Sequence, residues 1–165
     1  YPLRRQRQMC IRDRYYMLQV RKLIESDWEI MPKWWDGWDQ EPWIHTENFR
    51  DMLPGSFQIG EYDEKRVGLG GFMVCKDEHP IAAMWLNLTN SHTAFLSAAI
   101  SDPDYKDSDR KEAIQLLLNF VTDFAKDLGF KYAFGWAQVN YMLDYYLKAD
   151  YEKFDRASYE LIKKL

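Results

Sequence analysis

Thr93-Ala94-Phe95-Leu96-Ser97-Ala98-Ala99-Ile100, then a charged loop, then Asp109-Arg110-Lys111-Glu112-Ala113-Ile114-Gln115-Leu116-Leu117-Leu118: the reading of this stretch decides the fold. The first part is an apolar run bounded by polar residues and reads as a strand. Beyond the loop, Ile114, Leu117, Val121, Phe124, Ala125 and Leu128 recur at helical spacing, and Gly129 stands where a helix-ending glycine belongs. Asp109, with Glu112 three residues on, resembles a capping box. The helix start points back at the strand end, and its unpaired N–H groups and partial positive charge suit a phosphate. Residues 101–109 contain no glycine, so the loop reads either as a phosphate cradle or as a solvated, well-capped helix start.

Upstream, residues 70–76 and 81–89 read as strands separated by the polar turns 77–80 and 90–92, which makes an antiparallel meander with 93–100. Downstream, Phe130, Tyr132, Phe134 and Trp136 alternate with Lys131, Ala133 and Gly135 as a strand, its aromatic stripe read as core. A helix is expected over 140–148, with a closing strand pair at 152–155 and 158–163. Toward the N-terminus, residues 16–23 read as a first strand. Ser26 or Asp27 caps a helix carrying Trp28, Ile30, Met31, Trp34 and Trp35, which Gly37 ends. A short helix is expected over 47–53, before Pro54-Gly55.

Composition narrows the function classes. The 165 residues are 47% hydrophobic and 16% aromatic, enough for one domain with a real core. No apolar run is long enough to cross a bilayer. Two cysteines, Cys10 and Cys75, are too few for a disulfide framework or a zinc site, and a reducing, cytoplasmic setting is expected. Residues 1–14 lack periodicity, and Met9 to Arg14 resembles translated sequencing-adapter read-through, so the domain is placed at 15–165. The leader carries five arginines and one aspartate; without it 17 basic and 25 acidic residues remain, a net charge of −8. Nucleic acid is therefore an unfavourable partner.

A meander, a long helix, a strand, a helix and closing strands resemble the GNAT superfamily of N-acetyltransferases. Lys126-Asp127-Leu128-Gly129-Phe130-Lys131-Tyr132 resembles that family's passage from helix to fifth strand. Asn140 followed by Tyr146-Leu147-Lys148-Ala149-Asp150-Tyr151 resembles its "N…Y-x-k-x-G-F" segment. Gly71-Phe72-Met73-Val74, Leu88-Thr89-Asn90-Ser91 and Ser101-Asp102-Pro103 are similar to a divergent, phage-associated branch of small GNAT-like proteins.

The resemblance implies an α/β (α+β) fold: a mixed, mostly antiparallel sheet flanked by helices and splayed between its fourth and fifth strands. It implies acetyl-CoA as co-substrate, lying in that opening, and a primary amine as acceptor. Ala98, Ala99 and Ile100 match the positions whose backbone holds the pantetheine arm and polarises the thioester; the small alanines also suit close packing against a helix. Lys106, Ser108, Asp109, Arg110 and Lys111 align with the pyrophosphate loop, whose glycines are missing here. Asn140 matches a cofactor contact or a helix cap, and Tyr146 the general acid that protonates the departing thiolate. No general base stands out among Glu47, Glu61, Asp63 and a water chain to Ser97, and no metal spacing is present. Of the tryptophans, Trp38 and Trp43 are expected at the surface and the others in the core. The alternative is a non-catalytic GNAT-fold accessory or phage protein that acts by binding a partner.

Overall fold

Five extended segments pair into one mixed sheet in the computed structural model, which describes residues 17–38, 49–137 and 140–154, the last stretch without the side chains of Asn140 and Tyr141. The strands are β1 (Leu18–Lys22), β2 (Gly71–Lys76), β3 (His79–Asn87), β4 (Thr93–Ser101) and β5 (Tyr132–Gly135), in sheet order β1-β2-β3-β4-β5. The first three pairings are antiparallel and β4 with β5 is parallel. The β2–β3 turn is Asp77-Glu78, both at positive φ (46° and 71°), the two-residue hairpin geometry that matches strand twist.

Helices cover the sheet because side chains alternate between its faces. On one face, Phe72, Val74, Met84, Ala94 and Leu96 pack under α2 (Arg110–Asp127) and α3 (Asn140–Lys148). The other face carries Met73, Cys75, Ala83, Trp85 and Ile100 beneath α1 (Met31–Gly37), which brings in Met31, Trp34 and Trp35. Trp85 is wholly buried, and its indole N–H donates to the Gly68 carbonyl at 2.8 Å, so no polar atom is stranded by that burial.

Several expectations are borne out, among them the meander, the α2 stripe and α3. Gly129 closes α2 at φ 95°, with the Phe130 N–H reaching back to Ala125. Other expectations are corrected. The early helix is split: a 3₁₀ turn (Glu25–Glu29) precedes α1, which starts around Pro32 because proline fits only a first turn. Asp27 serves there as a buried acceptor, bonded to the Ile24 N–H at 2.8 Å and to the Arg21 guanidinium at 2.7 and 2.8 Å. Of the helix expected over 47–53, the described part is a 3₁₀ turn (Arg50–Met52).

Residues 152–154 are not strand, and the second closing strand lies outside the described residues, as do the 1–14 leader, Trp43 and Glu47. Of the aromatic stripe expected in the core, Phe130 is buried there, but the residues that follow it are not. Tyr132, Phe134 and Trp136 are exposed, because α2 and α3 lie on the opposite face and α1 does not reach this far along it.

One irregularity shapes β4. Ala83 pairs with Ile100 and Trp85 with Ser97, so Ala98 and Ala99 together oppose Met84 in a β-bulge. Ala98 takes φ 55°, the left-handed region, at a cost of about 1–2 kcal/mol for a residue with a Cβ. Ala98→Gly is expected to raise stability by up to about 1 kcal/mol, and Ala98→Val to lower it by about 1–2 kcal/mol, in urea unfolding followed by circular dichroism.

Candidate functional site

The site starts where β4 loses a partner. Its pairing with β5 runs from Thr93↔Tyr132 to Leu96↔Gly135 and stops, while β4 continues to Ser101. Along residues 97–101 the edge of β4 that faced β5 has no strand beside it among the described residues. The bulge falls within this unpaired stretch and leaves Ala99 exposed, while Ile100 stays buried against the α1 side. The alanine pair is thus not packed beneath a helix at Ala99, and backbone is accessible there. Ala99, Ile100 and Ser101 line a narrow crevice with Trp38, Ile114 and Met142, enclosing about 20 Å³, room for about one water.

Tyr146 stands at the apex of the opening. Its ring lies flush on Gly135, where a Cβ would collide with ring carbons and hydroxyl alike. The ring is held edge-on by Tyr151 at 5.0 Å between centroids. Tyr146 is one turn from Met142 on the same side of α3, and of the two it is Met142 that lines the crevice. Only 5% of the residue is exposed; its hydroxyl has no hydrogen-bond partner among the described residues yet is not sealed from solvent. Burial, with Tyr151 adding to it, pushes this phenol well above its usual range, so it stays protonated at neutral pH. Just after α3, Asp150 sits at φ 61°, the conformation a glycine would supply, and the Tyr151 N–H bonds back to the Tyr146 carbonyl.

The loop between β4 and α2 is braced by side chains. Arg110 donates to the carbonyls of Asp102 (2.5 Å) and Tyr105 (2.6 Å) and to the Ser101 hydroxyl (2.6 Å). Its guanidinium also lies over the Trp38 ring, 5.3 Å from the centroid. Trp38 in turn donates its indole N–H to the Ser101 carbonyl at 2.7 Å. The preceding Gly37 packs on Pro103, where a Cβ would come within 2.6 Å of Cγ. Arg110, expected as a phosphate ligand, is therefore already bonded to the loop itself. The role of Trp38 leaves no mark in the sequence beyond its place after Gly37.

Asp109 is the N-cap residue of α2 but makes no side-chain cap, which corrects the expected capping box. Its carboxylate instead accepts the Tyr105 hydroxyl at 2.7 Å and pairs with Lys76 at 2.7 Å. These bonds hold it below the usual carboxylate range despite burial. Burial and the bond to Asp109 push Tyr105 up to about 12. Lys76, at the end of β2, also reaches Asp107 at 3.3 Å, and the hydrogen bond to Asp109 raises it.

Two of the four loop acids are thus partnered by a lysine from outside the loop. Lys106, Ser108 and Lys111 are exposed and make no side-chain bond among the described residues. The backbone N–H groups of Ser108, Lys111 and Glu112 likewise have no partner among the described residues. Asn140 opens α3. Of the candidate bases, Asp63 is used as a cap on the Lys65 N–H and Ser97 accepts a hydrogen bond from Asn87 at 2.5 Å. Among the described residues no cluster of His, Cys, Asp or Glu is built to hold a metal, and no helix is long and apolar enough to cross a membrane.

A mixed sheet whose parallel β4–β5 pair parts beside a long helix is a GNAT-like fold. A GCN5-related N-acetyltransferase from Ralstonia eutropha superposes with a TM-score of 0.60 at 15% identity, over 87% of this chain and 98% of that one. A GNAT-family acetyltransferase from Streptococcus pneumoniae gives 0.55 at 8% identity, over 92% and 100%. An aminoglycoside N-acetyltransferase solved in complex with CoA gives 0.56 at 11% identity, over 93% and 100%. At such identities the likeness is one of fold. No family profile matches the chain, and no curated protein sequence does.

The loop brace is open to direct measurement. Arg110→Ala is expected to cost about 2 kcal/mol in thermal unfolding, since it strands three acceptors. Arg110→Lys should recover less than half of that loss, because an ammonium cannot fork across them.

Proposed function

We propose that this chain is an N-acyltransferase that moves the acetyl group of acetyl-CoA to a primary amine. The observation that carries the reading is the coincidence of the unpaired β4 stretch, the bulge and Tyr146 at one point, Leu96–Gly135. The pantetheine arm lies along residues 98–100 as a surrogate for the missing strand, its amides meeting backbone groups of β4. A backbone N–H there polarises the thioester carbonyl as charge develops on oxygen. The neutral amine attacks the carbonyl carbon; a C–N bond forms, the C–S bond breaks, and the nitrogen gives up a proton to water. Tyr146 donates its hydroxyl proton to the departing thiolate and regains one from solvent. The diphosphate rests on the free N–H groups at the start of α2, with Lys106 and Lys111 supplying charge. Lys76 lowers the opposing charge of Asp107 and Asp109.

A second reading, a non-catalytic GNAT-fold protein that binds a partner, is favoured by the narrowness of the crevice and by the internal bonds of Arg110. Calorimetry on the full chain separates the two. Acetyl-CoA is expected to bind with a Kd below about 1 mM, as millimolar affinity is the weakest useful for a co-substrate; no heat at millimolar cofactor rejects the transferase.

Tyr146→Phe is expected to lower kcat by about 100-fold while changing acetyl-CoA affinity less than about threefold, read by thiol release and calorimetry. Because the Tyr146 phenol is raised, the wild-type rate should show no alkaline fall below about pH 10. A fall there that Tyr146→Phe abolishes would show the phenol titrating lower than its burial implies, whereas a kcat unchanged in Tyr146→Phe would contradict the assignment.

A further inference from the structure

We infer that the acceptor site is an aromatic wall, built by Phe95, Phe134 and Trp136, that selects primary amines carrying a flat aromatic or similarly apolar body. The inference rests on the acyl-transfer reading and adds the acceptor's chemistry to it. A thioester held between β4 and β5 has two faces. One is closed by α2 and α3, with Met142 and Tyr146 against the sheet. The amine must approach from the other.

On that other face, at the level where the strands part, the side chains are those alternating with Leu96 and Gly135. Phe95 and Phe134 are cross-strand partners with centroids 5.7 Å apart, and Trp136 stacks on Phe95 at 5.4 Å with 15° between planes. Phe154 stacks on Phe134 at 5.7 Å and extends the wall. Phe134 is 39% and Trp136 51% exposed, so the wall presents ring faces to solvent next to the reacting position. The Trp-rich core beneath α1 does not cover it.

The polar side chains placed beside Phe95 are Asn87, its partner on β3, and Ser97, two residues on, and they are bonded to each other, Asn87 donating to the Ser97 hydroxyl. A polyhydroxylated or zwitterionic acceptor would be stripped of water here with little to replace it. A ring or alkyl body would displace poorly held water from rings already in register for offset stacking, and an ammonium arriving ahead of deprotonation meets their negative faces.

The test compares 2-phenylethylamine with ethanolamine as acceptors for the full chain at saturating acetyl-CoA, reading thiol release and the N-acetyl product by mass spectrometry. The aromatic amine is expected to have at least about tenfold higher kcat/KM, the scale set by a small difference in apolar contact. Phe134→Ser and Trp136→Ser should each raise KM for 2-phenylethylamine about tenfold with a much smaller change in KM for acetyl-CoA. Phe134→Trp should keep the preference.

Equal or better use of ethanolamine overturns the aromatic site and leaves the transferase intact. A parallel loss with both amines in the serine variants overturns it too. So does a self-association in sedimentation velocity that Trp136→Ser abolishes without altering amine KM, since the wall would then face a second copy. Acetyl-CoA binding without acetylation of any amine overturns the transfer chemistry and this site with it.

Discussion

The structure depends on a strand that is paired on both sides for only part of its length. β4 pairs with β3 from Phe95 to Ser101 across the bulge, but with β5 only from Thr93 to Leu96. A backbone edge left unpaired inside a sheet is costly unless something else meets its polar groups. The bulge at Ala98 and Ala99 bends that edge and Gly135 ends β5, because the Tyr146 ring occupies the space a side chain would need. Opening and phenol are therefore one packing solution: the ring that lies on Gly135 stands where the sheet stops closing.

The loop that follows solves a second problem by unusual means. Where glycines would let backbone wrap a phosphate, this chain has acids, lysines and an arginine. Arg110 and Trp38 tie the loop to the end of α1, and Lys76 ties it to the β2–β3 hairpin. Geometry comes from side chains bonded across the loop instead of from backbone freedom, while Lys106 and Lys111 make no side-chain bond among the described residues.

Much of this was legible in the sequence, for reasons that separate local from non-local physics. The α2 stripe, Gly129, the meander turns and the limits of α3 are written in spacing and turn chemistry, which neighbours in sequence decide. Tyr146 could be placed through its resemblance to a GNAT segment, and Asp150 in a left-handed position agrees with that placement. The Trp38 ring under Arg110 and the Lys76 ammonium on Asp109 could not be read, because each comes from more than thirty residues away. The aromatic stripe of β5 was misjudged because period-two alternation tells which residues share a face, not which face a helix will cover. The bulge had no signal either, since an alanine in the left-handed region looks like any other alanine.

The side-chain brace has a consequence in conformational entropy. A glycine loop spends most of its ordering cost when it closes on a ligand, since its free state samples many shapes. A loop of aspartates and lysines already fastened by Arg110 has paid that cost during folding. Association then immobilises little more than the ligand, so a well-matched nucleotide gains from the stiffness and a poorly matched one has no way to reshape its seat. The missing glycines exchange adaptability for a single preset fit.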